Sequence, residues 1–238
     1  MFISDSVCTD YVLLSFGDSP AVHNPKAAAR LRGLQEVADR HHVPLADFTQ
    51  AVLVEVPDGV RLQQIHLAAG VAAGDGLVNL AKLKTHALTS LTGALKNLYG
   101  VIVGPKKAQM HVQFPDTFSF TKMLAELNRT IRPRLHIVDA ITAMEGNGPM
   151  NGQPRHCGWL IVGTDPVAVD TAGALMMGYD PRALSVITAA EAAGLGSADP
   201  LAIEAIVIEA ATGPVAVPVP LASLARELAV PGCVRHQV

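Results

Sequence analysis

The chain has 238 residues, of which 50% are hydrophobic, 16% are charged and only 4% are aromatic. This composition excludes intrinsic disorder and a long coiled coil, and it favours an aliphatic core formed by helices packed on a sheet. The formal net charge of −3 provides no basic field for nucleic acid or an anionic membrane surface, so we expect small-molecule partners and neither of these.

The cysteines and the longest apolar stretch bear on cofactors and location. Cys8, Cys157 and Cys233 form no C-x-x-C pair, so the sequence predicts no disulfide framework and no zinc or iron–sulfur ligand motif, and it leaves any cofactor unknown. Two aspartates and a proline interrupt the apolar residues 157–178, which excludes a membrane span there. The first residues lack the pattern of a signal peptide. We therefore expect a cytoplasmic, soluble protein.

The first half of the chain alternates predicted strands and helices. The predicted elements are a strand at 11–16, a helix at 27–40 that Asn24 and Pro25 open, a strand at 51–56, an element of ambiguous period at 62–68, a strand at 76–81 and a helix at 89–99. The loop at 17–20 follows the first of these strands. A basic segment at 82–86 joins the last strand to the last helix.

The second half continues the alternation. We expect a helix at 118–130, a strand at 135–139, a loop at 140–154, a strand at 159–162, helices at 167–177 and 183–193, a strand or helix at 202–209 and an irregular tail over 212–238. The alternation predicts an α/β fold in which a mostly parallel or mixed sheet carries helices on both faces. No composition shift marks a boundary, so we expect a single domain over residues 1–238.

The first candidate site is the basic junction between strand and helix. It contains Lys82, Lys84, His86, Lys96 and Asn97. In an open α/β sheet, ligands bind beyond the carboxyl ends of strands, where a helix N-terminus offers free N–H groups to an anion. The alternative is a solvated polar face. His86 could be an acid–base group or a metal ligand, but a structural hydrogen-bonding role is the commoner one for a single histidine.

The second candidate site is the loop that follows the strand at 135–139. Asn147 and Gly148 belong to a Gly-Asn-Gly segment that permits close backbone approach to a ligand, and Glu145 and Asp139 put carboxylates at the strand end. An ordinary surface turn is the alternative.

The third candidate is a pair of aspartates near the helix at 167–177. Asp165 precedes Pro166 and is typical of a helix N-cap. Asp170 lies inside an otherwise apolar helix, where a carboxylate must be paired, protonated or bound to metal. Asp18, in the loop at 17–20, is a further candidate. The sequence has no P-loop, dinucleotide fingerprint or nucleophile elbow.

Three long segments in a fixed order resemble the DUF362 family. They are KLKTHALTSLTGALKNLYG at 82–100, IVDAITAMEGNGPMNGQP at 137–154 and VGTDPVAVDTAGALMMGYDP at 162–181, with GDSP at 17–20 upstream. The resemblance extends over about residues 11–190. The family is a domain of unknown function that is often described as iron–sulfur associated, because many members carry an appended ferredoxin-like module.

This chain departs from the family pattern in two ways. It lacks the cysteine runs of the ferredoxin-like module, so the resemblance brings no iron–sulfur cluster with it. Family members usually have an earlier strand–helix unit ahead of the loop at 17–20, so we expect a chain that is short at its N-terminus, with an exposed sheet edge. The positions that match the family's motifs, without assigned roles, are Lys84, His86, Lys96, Asn97, Glu145, Asn147, Gly148, Asp165 and Asp170.

The resemblance and the candidate sites lead to two hypotheses. The first is a redox-linked enzyme or electron-transfer accessory that binds a small anionic ligand or a metal ion at the strand ends. The second is a non-catalytic binding module that docks a ferredoxin-type protein, with residues 214–222 as the docking strip. The residues assigned under the first hypothesis are His86, Glu145 and Asp170 as catalytic groups, Lys82, Lys84, Lys96, Asn97, Asn147, Gly148 and Asp18 as ligand-binding groups, and His86, Glu145, Asp165 and Asp170 as metal candidates.

Overall fold

Strands and helices alternate through most of the chain. The computed structural model describes residues 2–8, 11–20, 24–57, 59–206, 208–209, 213–214 and 219–228. The strands are β1 (Phe2–Cys8), β2 (Tyr11–Gly17), β3 (Ala51–Glu55), β4 (Gln64–Ala68), β5 (Gly76–His86), β6 (Ser90–Thr92), β7 (Leu135–Glu145), β8 (Gln153–Gly163), β9 (Glu204–Ala205), β10 (Ile208–Glu209), β11 (Gly213–Pro214) and β12 (Val219–Pro220). The helices are α1 (Pro25–Leu31), α2 (Leu34–Arg40), α3 (Ala69–Ala72), α4 (Ala94–Asn97), α5 (Gly104–Gln113), α6 (Thr117–Ile131), α7 (Pro166–Met176), α8 (Ser185–Ala192) and α9 (Leu221–Leu228), with short 3-10 helices at Leu98–Val101 and Pro181–Ala183.

The main sheet is mixed. Within the described residues its strand order is β2-β1-β5-β7-β8, and β6 pairs with β5 as a short antiparallel partner. β5 and β7 are parallel, whereas β1 is antiparallel to β2 and β5, and β8 is antiparallel to β7. The connection from β5 to β7 passes through α4, α5 and α6. α4 packs against β5 and β7, and α6 packs on α4 and α8. The predicted α/β class with a mixed sheet is therefore confirmed.

The core lies between the central strands and the helices that follow them. On α6, Phe120, Met123, Leu124 and Leu127 are buried at helical spacing, as predicted. These side chains belong to the same hydrophobic core as the buried residues of β5, α7 and α8, and α6 packs directly on α8. A second small cluster joins Phe16 of β2 to α1 and α2. Because of it, the loop after β2 lies next to the first two helices.

Several predicted elements are confirmed with small changes of boundary. The strands at 11–16 and 51–56 are β2 and β3, the ambiguous element at 62–68 contains β4, and the helices at 118–130, 167–177 and 183–193 are α6, α7 and α8. The single helix predicted at 27–40 is divided into α1 and α2 by Gly33, whose φ of 69° is left-handed.

Other predictions are corrected by long-range pairing. The helix predicted at 89–99 is β6 followed by α4 and a 3-10 turn, because β6 pairs with β5. The loop predicted at 140–154 is shorter, because β7 and β8 continue to pair from His136 with Gly163 to Glu145 with Gln153. The tail predicted to be irregular contains α9, which buries Leu221 and Leu228. Residues 215–218 of the predicted docking strip lie outside the described residues. β1 and α5 were not predicted.

Candidate functional site

A tight hairpin places the basic junction. Lys84 of β5 pairs with Thr92 of β6, and His86 pairs with Ser90, so the chain reverses directly after β5. Ser90 has a left-handed φ of 59°, which turns the backbone into β6. α4 starts after Gly93 and carries Lys96. Lys84 and Lys96, which are far apart in an extended chain, are therefore brought to the same region of the fold.

Asp170 fixes the start of α4. Its Oδ1 accepts a hydrogen bond of 2.5 Å from the N–H of Ala94, and its Oδ2 accepts one of 3.1 Å from the N–H of Leu95. The carboxyl is buried, and burial raises its pKa to about 7 although these two hydrogen bonds act in the opposite direction. A side chain at Gly93 would collide with this carboxylate. The helix N-terminus that we expected to bind an external anion is thus occupied by Asp170.

Asn97 holds α4 against β5. Its side-chain amide donates to Asn79 Oδ1 at 2.7 Å and to the Leu80 carbonyl at 3.0 Å. Asn79 in turn donates to the Ala94 carbonyl and to His136 Nδ1, which is 3.0 Å away. Burial lowers the pKa of His136 to about 4, so its imidazole is neutral at pH 7. This buried network positions α4.

Three lysines form what we call the lysine cluster: Lys84, Lys96 and Lys107. Burial, together with the charges of Lys84 and Lys107, lowers the pKa of Lys96 to about 7. Burial likewise lowers the pKa of Lys107 to about 8 and is the main cause of the lowered pKa of Lys84. Within the described ranges, neither Lys84 nor Lys96 has an ion pair. In the part of the chain that the structure describes, the cluster therefore concentrates positive charge without a carboxylate in ion-pair contact.

The loop after β2 borders the lysine cluster. The Lys107 ammonium donates to the Ser19 carbonyl, and the Ser19 hydroxyl accepts from the N–H of Gly104 at 3.0 Å. Asp18 forms an ion pair of 3.2 Å with Arg32, and the charges of both act on Lys84 and Lys107. Since Arg32 occupies Asp18, the positive charge of the lysines is only partly offset.

Aromatic rings line the other side of Lys96. Its ammonium lies 5.0 Å from the centroid of the Tyr99 ring and 5.9 Å from that of Phe120, which allows cation–π attraction. His111 stacks on Phe120 with centroids 4.9 Å apart, and burial together with the charge of Lys96 lowers the pKa of His111. Tyr99 is held in place because its hydroxyl donates to the Lys107 carbonyl at 2.7 Å.

The loop with Glu145 approaches the end of β5. Gly148 is so close to Thr85 that a Cβ at this glycine would lie 2.1 Å from the Thr85 carbonyl oxygen. His86 Nδ1 accepts from the N–H of Leu88 at 3.1 Å. Glu145 Oε1 lies 3.9 Å from an Arg155 nitrogen. The structure therefore brings the second candidate site to the first, with Asn147 exposed in the loop.

The remaining predicted residues have local partners. Lys82 forms an exposed ion pair of 2.5 Å with Asp139. Asp165 is the N-cap of α7, as predicted, and also accepts from the N–H of Ser197 at 3.0 Å. In the described part of the chain, no group of three or more His, Cys, Asp or Glu side chains could hold a metal ion. The metal candidates His86, Glu145, Asp165 and Asp170 are thus not assembled into a metal site.

Sequence reasoning missed Lys107, Arg32 and Ser19. Lys107 lies on α5, which was not predicted, although Gly104-Pro105 is a helix-start signal. Ser19 lies in the GDSP loop, from which only Asp18 was selected. Nothing local distinguishes Arg32 from an ordinary surface arginine. The contacts of these residues join segments of the chain that are far apart in sequence.

The fold and the lysine cluster define an α/β protein with a basic, partly buried site at the end of β5. The chain belongs to the DUF362 family, a domain of unknown function, whose model matches residues 8–175. It is 33% identical over 180 residues to the thylakoid-associated protein sll1697 of Synechocystis sp., which is 75% of this chain and 56% of that relative. The chain thus spans little more than half the length of this relative. No solved structure matches the chain significantly.

A membrane-spanning segment was not expected from the sequence. Among the helices of the described residues, none is both long enough and apolar enough to cross a bilayer.

Proposed function

We propose that this protein binds a small anionic molecule at the lysine cluster. The observation that carries the proposal is that Lys84 and Lys96 are partly buried next to Lys107 and, within the described ranges, have no ion pair. Partly buried cations repel one another and destabilise the folded protein unless a bound anion compensates their charge. A bound carboxylate or phosphate would supply the missing negative charge.

The charge of the site favours an anion over a metal ion. A divalent cation would be repelled by Lys84, Lys96 and Lys107, whereas oxygen ligands for it are scarce, because Asp18 is paired with Arg32 and Asp170 caps α4. His86 and Glu145 stay predicted proton carriers at the edge of this site. The redox-linked reaction, the ferredoxin-type partner and the cytoplasmic location stay predictions from the sequence and from the family resemblance.

Calorimetric titration with inorganic phosphate tests the proposal. We expect saturable binding that weakens at least tenfold in Lys84→Met, Lys96→Met and Lys107→Met, because each variant removes one cation from the cluster; tenfold corresponds to about 1.4 kcal/mol. Lys122→Met is the matched control. Lys122 also lies over an aromatic ring, 3.8 Å from the centroid of Phe118, but its charge is not among those that act on the cluster lysines.

Two outcomes would overturn the proposal. One is the absence of saturable phosphate binding to the wild-type protein. The other is binding that all three cluster variants retain at the affinity of Lys122→Met, which would place the anion elsewhere. Thermal unfolding of each variant, followed by circular dichroism, verifies that the loss of binding is not a loss of folding.

A further inference from the structure

Lys96 differs from the other cluster lysines in its surroundings. Its ammonium faces the rings of Tyr99 and Phe120, at 5.0 and 5.9 Å from their centroids, and it has no carboxylate or carbonyl partner within the described residues. α4, on which it lies, is held at its start by Asp170 and on β5 by Asn97. The amine is thus held by a fixed backbone next to apolar rings.

The protonation state of Lys96 matches that of a nucleophile. Because burial and two neighbouring cations bring its pKa to about 7, a large fraction of the amine is neutral at physiological pH. An ordinary exposed lysine is almost entirely protonated there and attacks a carbonyl poorly. A lowered pKa next to another cationic group is a known means of activating a lysine for covalent chemistry.

Lys84 and Lys107 supply the second requirement, a means of holding an anionic reactant beside this amine. Lys107 adjoins Lys96 through Tyr99, whose ring faces the Lys96 ammonium and whose hydroxyl donates to the Lys107 carbonyl. Lys107 is anchored by its hydrogen bond to the Ser19 carbonyl, and Lys84 lies on β5, against which α4 packs. An anionic group between Lys84 and Lys107 would place the adjoining carbons of the same molecule near the Lys96 amine.

We propose that Lys96 forms an imine with a small anionic carbonyl compound whose charged group is bound by Lys84 and Lys107. This inference rests on the anion-binding function proposed above and adds the substrate class and the reacting atom. The bound compound is an aldehyde or ketone that also carries a carboxylate or phosphate.

The step balances without any oxidant or reductant. The neutral amine of Lys96 attacks the carbonyl carbon, so that a C–N bond forms and the carbonyl π electrons move to oxygen. Proton transfer from nitrogen to oxygen gives a carbinolamine. The C–O bond then breaks, and the oxygen leaves as water with the two hydrogens that the amine has lost. The product is a C=N bond to Lys96.

Reductive trapping tests the inference. The full chain is incubated with pyruvate and cyanoborohydride at pH 7.5, and the modified lysines are located by peptide mass spectrometry. We expect Lys96 to be modified roughly tenfold or more faster than Lys122, the lysine over Phe118 that serves as an internal control. With acetone, a neutral ketone, the preference for Lys96 over Lys122 should be clearly smaller, because acetone offers no charge to Lys84 and Lys107. Lys84→Met and Lys107→Met should slow the pyruvate reaction at Lys96.

Competition with phosphate separates the two proposals. If pyruvate displaces phosphate in the calorimetric titration but modifies Lys96 no faster than Lys122, the imine proposal is wrong and anion binding stands. If neither anion binds, both proposals are wrong. An equal preference for Lys96 over Lys122 with pyruvate and with acetone would also contradict the inference, because the cations would then not guide the reactant.

Discussion

The acidic and the basic groups of this protein are treated differently by the fold. Asp170 and Asp165 accept hydrogen bonds from backbone N–H groups at the starts of α4 and α7, so the chain itself satisfies both carboxylates. Lys84 and Lys96 lie partly buried and have no such partner within the described residues. The comparison teaches that a buried charged side chain indicates a ligand only when the chain itself provides no hydrogen-bond or ion-pair partner for that charge.

The largest expected effect on stability comes from removing a buried carboxylate, that of Asp170. Asp170→Ala leaves the buried N–H groups of Ala94 and Leu95 without acceptors, at about 1–3 kcal/mol for each group. We therefore expect the free energy of unfolding, measured by chemical denaturation, to fall by about 3 kcal/mol. A loss below about 1 kcal/mol would show that Asp170 does not stabilise the start of α4.

A smaller effect on stability, with a distinct pH dependence, is expected from removing the amine of Lys96. The pKa of Lys96 is lowered from 10.5 to about 7 in the folded protein, which means that folding favours the neutral amine. The folded protein is therefore most stable with respect to Lys96 above pH 10.5, and this stability is lost as the pH falls through 7. Lys96→Met has no amine to protonate, so the variant does not lose this stability. We expect the variant to gain stability over the wild type between pH 10 and pH 7, reaching on the order of 1 kcal/mol, in denaturation curves taken at pH 6, 8 and 10.

Asp170→Ala provides a comparison of opposite sign. The pKa of Asp170 is raised from 3.8 to about 7, so its contribution to stability is full below pH 3.8 and is lost as the pH rises through 7. The penalty of Asp170→Ala should therefore be larger at pH 5 than at pH 8. Parallel pH trends in the two variants would contradict the assignment of these charges.

The smallest effect on stability is expected at Lys82, which allows a paired lysine to be compared with Lys84 on the same strand. Lys82 lies two residues before Lys84 on the same face of β5, but it is 48% exposed and paired with Asp139. Exposed ion pairs contribute about 0.2–1 kcal/mol, so Lys82→Ala should change the free energy of unfolding by less than about 1 kcal/mol. A larger loss, measured by chemical denaturation, would mean that this pair stabilises the sheet more than its exposure suggests.

Local signals explain which parts of the fold were predictable. Asp165 was recognised as a cap because its partners, Val167 and Ala168, follow within three residues. The helical spacing of α6 was similarly visible. The helix predicted at 89–99 was wrong because its leucines are buried for two reasons, some in β6 and some in α4, and a single period fits both.

Long-range contacts explain what the sequence could not show. The partners of Asp170 lie 75 and 76 residues away, so its apolar setting suggested a functional role instead of a cap. Lys107 contacts Ser19 across 88 residues. Lys84 and Lys96 were selected because they share one basic segment, and that segment folds back on itself. The compensated and the uncompensated charges could be separated only in three dimensions.

The most direct test of the anion-binding proposal is the pKa of the Lys96 amine with and without inorganic phosphate. Nuclear magnetic resonance of protein labelled with ¹³C-lysine reports the titration of each lysine, and the Lys96→Met variant assigns the signal. We expect a pKa of about 7 without phosphate and a higher value with it, because a bound anion stabilises the charged amine. An ordinary lysine pKa that does not respond to phosphate would contradict the proposal.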